Sequence, residues 1–417
     1  MDRNEYQNYL AILKEELIPA GGCTEPIAIA YTAAIVRKTL GCMPKHLDVY
    51  ASGNLIKNAK GVYIPNGGKL RGVDAAAVLG VVGGNPDRKL EVLLDVSKEA
   101  LRKTEELLAE KFCTVHAMQK SEALHLIVEA HSEEHRALVE LKNAHTHIIR
   151  IEKDGQSIFR ADMTEETDDG YTDHSFLTVE GIVDFVNTCD LEDIKPVLSR
   201  QIACNLEIAE EGLKNKWGAN VGRLYYESGK LLQAYAAAAS DARMSGCNLP
   251  VVIVSGSGNQ GAAVSLPVVI YAKEHGIDEE KMYRALALSN LTAIHLKTGI
   301  GRLSAYCGAV CAATGSGCAM TYMAGGSLTR IEETLTNSLA TASGIVCDGA
   351  KPSCAAKIAT SLESAIMAHQ LAMKEQVFQS GEGIVMENVE RTIEAVGCVA
   401  SQGMEVTDRV ILDLMTR

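Results

Sequence analysis

Residues 4–17 place Tyr6, Tyr9, Leu10, Leu13 and Leu17 at helical spacing, so the chain is expected to open on an amphipathic helix. Pro19-Ala20-Gly21-Gly22 ends that pattern, and a second helical run follows Cys23 to about Leu40. Thr24 is its expected N-cap, and Pro26 falls in a first turn, where a missing N–H costs nothing. From about residue 44 to 162 the period changes. His46–Ala51, Cys113–Met118, Ala123–Glu129, Ala137–Leu141 and Thr146–Lys153 read as strands, with helices at Val73–Val82 and Lys98–Lys111. Asp154-Gly155, between Ile149–Lys153 and Gln156–Arg160, is a two-residue hairpin signal. Consecutive strands on short turns suggest antiparallel pairing with helices on one face.

The acidic stretch Thr164–Asp173 reads as a linker. Beyond it the helical period dominates: Val179–Cys189, Ile194–Lys214, Gly222–Ala239, Gly261–Glu274 and Asp278–Leu291, then several short Ala-rich helices. The expected fold class is α+β, a mixed sheet domain with helices plus a mainly helical catalytic domain. Residues 1–42 would be N-terminal helices returning Cys23 to the helical part, 43–175 the α+β domain and 176–417 the helical domain. There is no internal repeat and no low-complexity segment.

Composition narrows the function. At 417 residues the chain can bury a sizeable core, and aromatics make up only 5% while Gly and Ala are frequent, which implies close helix packing. The net charge of -13 and the lack of any Lys/Arg-rich run argue against a nucleic-acid partner. The longest apolar runs, Leu249–Val254 and Leu266–Ala272, are far short of a membrane span, and the charged N-terminus is unlike a signal peptide. A cytoplasmic protein without membrane partners is expected; a homo-oligomer is compatible with all of this.

Twelve cysteines in a chain this long do not suggest a disulfide scaffold. Five of them, Cys307, Cys311, Cys318, Cys347 and Cys354, lie between Arg302 and Lys357. Cys347 and Cys354 bracket the turn Asp348–Ser353, which can fold both thiols inward, and a third from Cys307 would complete a pocket. Three thiolates on a four-iron cluster leave one iron without a protein ligand, a Lewis acid. Cys311 and Cys318 rival Cys307 on spacing alone. Cys42, Cys113, Cys189, Cys204 and Cys247 read as buried inert thiols, and Cys398 as a buried structural thiol or a fourth ligand.

Cys23 stands just before a helix start, where the dipole favours thiolate and a general base becomes available. Glu25 is the rival base. Gly256-x-Gly258-x-x-Gly261 follows an apolar run in the manner of a dinucleotide site, but the next element is a helix rather than a second strand. The same backbone suits a small anion at a helix N-terminus, so Ser255, Ser257, Asn259 and Gln260 are candidates for a substrate carboxylate. Asn54, Lys57 and Asn58 form a polar cluster after a strand and could line the pocket. His145 and His147 alternate on an expected strand and read as a polar-surface or pocket-lining pair. Asp241 and Arg243 could be an ion pair, and His295 and Lys297 could support the cysteine segment. No lysine stands in a pyridoxal phosphate context.

Pro19–Pro26, Ser240-Asp241-Ala242-Arg243-Met244, Ser255–Gly261 and Cys347-Asp348-Gly349-Ala350 through Cys354-Ala355 together resemble the L-cysteine desulfidase family, which is related to the iron–sulfur L-serine dehydratases. The resemblance extends from Cys23 to Thr407-Asp408-Arg409. It implies an oxygen-sensitive [4Fe-4S] enzyme, without pyridoxal phosphate, that converts L-cysteine to pyruvate, ammonia and sulfide. It further implies Cys307, Cys347 and Cys354 as cluster ligands and Cys23 as catalytic base. L-Serine is the alternative substrate of the same mechanism. A non-catalytic iron–sulfur or redox-sensing protein is the alternative from another class, and cysteines serving only as core filler are the third.

Overall fold

Asp2 starts helix α1 (Arg3–Glu16) with a capping box, accepting from the Asn4 and Glu5 N–H groups while Glu5 returns a bond to the Asp2 N–H. The computed structural model describes residues 1–118, 121–161 and 172–416. After α1 come β1 (Pro19–Ala20), α2 (Thr24–Leu40), β2 (His46–Ser52), α3 (Gly53–Lys60), α4 (Val73–Gly83) and α5 (Lys98–Ala109). Four strands and a hairpin arm follow: β3 (Cys113–Met118), β4 (His125–His131), β5 (Arg136–Lys142), β6 (Ile148–Lys153) and β7 (Gln156–Arg160). The sheet order is β3-β2-β4-β5-β6-β7. β2 and β3 run parallel and every other pair antiparallel, so the sheet is mixed. The parallel pair exists because α3, α4 and α5 lie between β2 and β3 and carry the chain back to the same end.

One face of the sheet is apolar. Leu47, Val49 and Ala51 of β2, Leu126, Val128 and Ala130 of β4, and Ala137, Val139 and Leu141 of β5 are buried on it at every second position, while in β5 Leu138 and Glu140 on the other face are buried as well. Helix α2 lies across β4, β5 and β6, and α4 covers β2 and β3. The opposite face carries Asp48, Tyr50, His116, His131 and Glu129, a polar surface in which Tyr50 stacks on His116.

The remainder is helical: α6 (Val179–Thr188), α7 (Leu191–Lys214), α8 (Val221–Glu227), α9 (Leu231–Met244), the two-residue β8 (Val251–Val252), α10 (Gly258–His275), α11 (Glu279–Thr298), α12 (Gly308–Met323), α13 (Leu328–Ala342), α14 (Cys354–Ala372), α15 (Val389–Cys398) and α16 (Glu405–Thr416). Helix α1 packs against α6, α7 and α11. β1 pairs with β8, tying the chain before Cys23 to the chain before the Gly-rich loop. No described helix is long and apolar enough to cross a membrane.

Several expectations need correcting. The single helix read over Gly222–Ala239 is two, α8 and α9, because Gly229 turns the chain in the left-handed region. The polar cluster after Ser52 lies on an unexpected helix, α3, capped by the Ser52 hydroxyl. The helices after Cys307 are long, 15 to 19 residues in α12, α13 and α14. Thr24 is the first helical residue of α2 and Cys23 its N-cap. His145 and His147 precede β6 in a loop, so they share no strand face. The acidic linker lies, over residues 164–171, outside the described residues.

Candidate active site

Two short backbone devices bring the distant cysteines together. Residues 305–307 run antiparallel to 345–347: the Cys347 N–H donates to the Ala305 carbonyl at 2.6 Å, the Cys307 N–H to Ile345 at 3.0 Å, and Tyr306 bridges Val346. Tyr306 is fully buried and its hydroxyl meets Ser343 at 3.0 Å, which fixes this crossing. After Cys347 the turn is held by Asp348, which pairs with both Lys351 and Lys357. Burial works to raise the Asp348 carboxyl, but the two lysines override it and hold the pKa at about 2. Cys354 then begins α14, its thiol 3.7 Å from the Gly349 carbonyl.

On the opposite side β1 delivers Cys23, and β8 delivers the turn Val254–Ser257. Ser255 and Gly256 both adopt positive φ, 47° and 76°, while Val254 and Ser257 exchange backbone bonds of 2.9 and 3.1 Å. That is the geometry of a type I′ turn. A Cβ on Gly256 would stand 2.8 Å from the His145 ring, so the turn can close only on glycine. The Thr24 hydroxyl donates to the Gly256 carbonyl at 2.8 Å and locks the two sides together.

The result is a cavity of about 100 Å³ whose wall includes Cys23, Glu25, Asn58, Arg243, Ser257, Asn259, Gln260, Lys297, Cys307, Cys347 and Cys354. Four helices start on it: Cys23 is the N-cap of α2, Ser257 of α10 and Cys307 of α12, and Cys354 is the first residue of α14. Free N–H groups and positive dipole ends therefore converge, which favours anions. Arg302 and Lys297 also border a larger neighbouring cavity of about 740 Å³ with Glu16, Ser255, Asp173 and His174. Arg302 is paired there with the buried Glu16 at 2.7 Å.

The electrostatics at Cys23 differ from expectation. Burial, reinforced by the Glu25 carboxylate, pushes its thiol far above the ordinary range, and Arg243 only partly opposes this. Cys23 is therefore a thiol donating to Glu25 Oε2 at 3.3 Å, not a standing thiolate. The helix dipole is worth about 0.3–1 kcal/mol and loses to desolvation. Burial and then the neighbouring Cys347 likewise raise Cys307, to about 12.

Of the residues singled out from sequence, Cys23, Asn58, Ser257, Asn259, Gln260, Cys307, Cys347 and Cys354 line the cavity. Ser255 faces the larger neighbour. His145 borders a small separate void with Glu16 and Arg302, its Nε2 without a hydrogen-bond partner among the described residues, and burial lowers its pKa to about 4. Asn54 lies off the cavity wall. Lys57 does too: its ammonium pairs with Asp408 of α16 and reaches the Cys347 carbonyl at 3.5 Å. Asp241 and Arg243 do not pair; Asp241 accepts from the Gly222 N–H at 2.8 Å, and Arg243 donates to the Gly22 carbonyl at 3.1 Å. His295 pairs with Glu390 instead of facing the cysteines. Cys311 and Cys318 are buried within α12, while Cys42 and Cys398 are exposed rather than buried. Sequence reasoning missed Arg243 as a cavity residue, because its place there depends on the packing of the last turn of α9 against Gly22, 221 positions away.

Among the described residues, no three His, Cys, Asp or Glu side chains converge tightly enough for a single metal ion. A four-iron cube asks for something else, one thiolate at each of several separated corners. Three thiols around one cavity, Cys307 and Cys354 at helix N-termini and Cys347 on the strand-like stretch beside them, with Lys297 and Lys357 acting on them, fit such an anionic assembly.

Comparison with known proteins finds both a family and close relatives. The family described as serine dehydratase alpha chain matches residues 87–413. The chain is 50% identical to a protein of Lachnoclostridium phytofermentans over 98% of its own length and 99% of the relative's. It is 46% identical to one of Treponema denticola (100% and 99% covered) and 44% identical to one of Desulfitobacterium hafniense (100% and 98%). All three are named UPF0597 protein, which states no activity.

Proposed function

The chain belongs to the serine dehydratase alpha chain family, and from that premise we propose that it is an iron–sulfur lyase. It removes the β substituent of a small 2-amino acid, L-cysteine in the first place and L-serine by the same mechanism. The observation that carries this reading is the shared cavity, with Cys307, Cys347 and Cys354 on one side and the Cys23–Glu25 pair on the other. A four-iron cluster held by the three thiols would supply an iron without a protein ligand, a Lewis acid toward the leaving sulfur or oxygen.

Cys23 and Glu25 handle the Cα proton as one unit. As the Cys23 sulfur takes that proton, its own passes along the 3.3 Å hydrogen bond to Glu25, so the net acceptor is the carboxylate and the thiol is regenerated. Loss of the Cα proton and the β substituent leaves an enamine, which tautomerises and is hydrolysed to pyruvate and ammonia. Asn259 and Gln260, read from sequence as carboxylate candidates, present buried acceptors without partners among the described residues, Oδ1 and Oε1, and these suit the substrate ammonium instead. No pyridoxal phosphate is used. We carry forward with this reading the three-part division at 1–42, 43–175 and 176–417, a cytoplasmic location, and a small-molecule substrate in place of nucleic-acid or membrane partners.

The test is purification without oxygen, quantitation of iron and acid-labile sulfide, and assay of pyruvate and sulfide with L-cysteine and of pyruvate with L-serine. Turnover of either by iron-loaded protein supports the lyase. Coloured protein inert toward both favours a non-catalytic redox role, and colourless protein after anaerobic reconstitution leaves the thiols as packing.

A further inference from the structure

Arg243 is 3% exposed, yet among the described residues it forms no ion pair. Its Nη2 donates to the Gly22 carbonyl at 3.1 Å and its Nε has no partner. Leaving a buried guanidinium without a counter-charge costs stability unless an anion arrives. The group is also held in place. A Cβ on Gly258 would stand 2.4 Å from Arg243 Nε, so the guanidinium lies against the backbone at the start of α10, and Gly258 is what allows it. Rigid placement on the cavity wall is what a carboxylate receptor needs, since a planar fork binds both oxygens at once.

Two other cations border the same cavity, and position separates their tasks. Arg302 is already matched by Glu16 at 2.7 Å. Lys297, 5% exposed and in no ion pair among the described residues, lies beside the thiols of Cys311, Cys347 and Cys307 as well as Arg302, so it serves the thiol end. Arg243 is near enough to Cys23 to act on that thiol, and so serves the end where the Cα proton leaves. The substrate carboxylate is bonded to that same Cα. We infer that Arg243 is the receptor for the α-carboxylate of the substrate and the residue that restricts this site to 2-amino acids. The inference rests on the lyase reading for the identity of the ligand.

Binding without turnover tests it. L-Alanine keeps the amino and carboxylate groups but has no leaving group; cysteamine keeps the thiol and amine but lacks the carboxylate. Both are titrated calorimetrically into iron-loaded wild type, Arg243→Met, Arg243→Lys and Lys297→Met. Arg243→Met is expected to weaken L-alanine by roughly 10–100-fold, the worth of a lost charge-assisted pair, with cysteamine unchanged. Arg243→Lys, which keeps charge but loses the fork and guards against a variant that does not fold, is expected to fall between. Unchanged L-alanine affinity in both Arg243 variants overturns the inference. So does equal loss of both probes, which marks a structural role, or a carboxylate-selective loss in Lys297→Met alone. Arg243-dependent L-alanine binding in a protein that turns over neither L-cysteine nor L-serine would leave the receptor standing and remove the lyase reading.

Discussion

A thiol at a helix N-cap gains about 0.3–1 kcal/mol from the dipole, but at Cys23 complete burial beside a carboxylate outweighs that gain. The chemistry therefore belongs to the Cys23–Glu25 pair, and the mutational pattern should be that of a unit. Cys23→Ala and Glu25→Gln are each expected to lower kcat by roughly 10²–10⁴-fold, the usual worth of general-base catalysis. The double variant should be no worse than the more damaged single one. Steady-state rates on iron-loaded protein check this, and multiplicative losses would mean two independent groups. A second residue-scale expectation concerns His369, buried in α14 with Nδ1 2.9 Å from the Thr321 hydroxyl. Burial, with His275 adding to it, lowers its pKa to about 4. The folded value lies below the ordinary value near 6.5, so the unfolded chain takes up the proton first as pH falls. Stability is therefore complete above about 6.5 and is lost as pH drops toward 4. Between pH 7 and 5 this one histidine costs about 2 kcal/mol. Urea midpoints at the two pH values should show His369→Gln losing less than wild type, while His145, also lowered to about 4, keeps its own share.

At the scale of elements, α16 is tied down from α3. Lys57 is 1% exposed and pairs with Asp408, Lys60 donates to the Met415 carbonyl, and Leu412 packs against Gly53. Asp408→Ala would leave the Lys57 ammonium buried and unpaired. The expected loss is about 3 kcal/mol, at the low end for a broken buried pair because Asp408 keeps some contact with solvent. Lys57→Met combined with Asp408→Leu should recover most of it in denaturant unfolding; a loss under about 0.5 kcal/mol in the single variant would place the pair effectively in solvent. This contact also shows where sequence reading stops. The sequence around Lys57 indicates a polar residue close to the site, yet its partner lies 351 positions away and no local pattern announces it. Elements with strong periods, such as α1, α2, β2 and β3, were legible with ends within a few residues. So was the Cys347–Cys354 turn, whose residues are adjacent. The break between α8 and α9 was hidden by an Ala-rich run that continues the helical pattern past Gly229, and α3 by a length of only 8 residues. The bond state of Cys23 was unreadable because burial arises only from packing.

For the whole molecule, the decisive property is that four helix starts and several cations face a single cavity. Each such end is favourable to an anion, and together they oppose one another until negative charge is supplied. The fold therefore holds part of its stability in reserve for what binds there. Ligation by thiolates, which requires the raised Cys307 proton to leave, should couple iron loading to folding. Anaerobic reconstitution of wild type is expected to raise the guanidinium midpoint, because a ligand that binds only the folded state adds RT ln(1 + [L]/Kd). Cys307→Ser, Cys347→Ser and Cys354→Ser should each abolish that rise, while Cys318→Ser, buried away from the cavity inside α12, should retain it. Measured without iron, the three ligand variants should stay within about 1 kcal/mol of unloaded wild type, since serine nearly conserves the volume of cysteine. A rise that survives all three substitutions would place the iron elsewhere, and with it the chemistry assigned to this cavity.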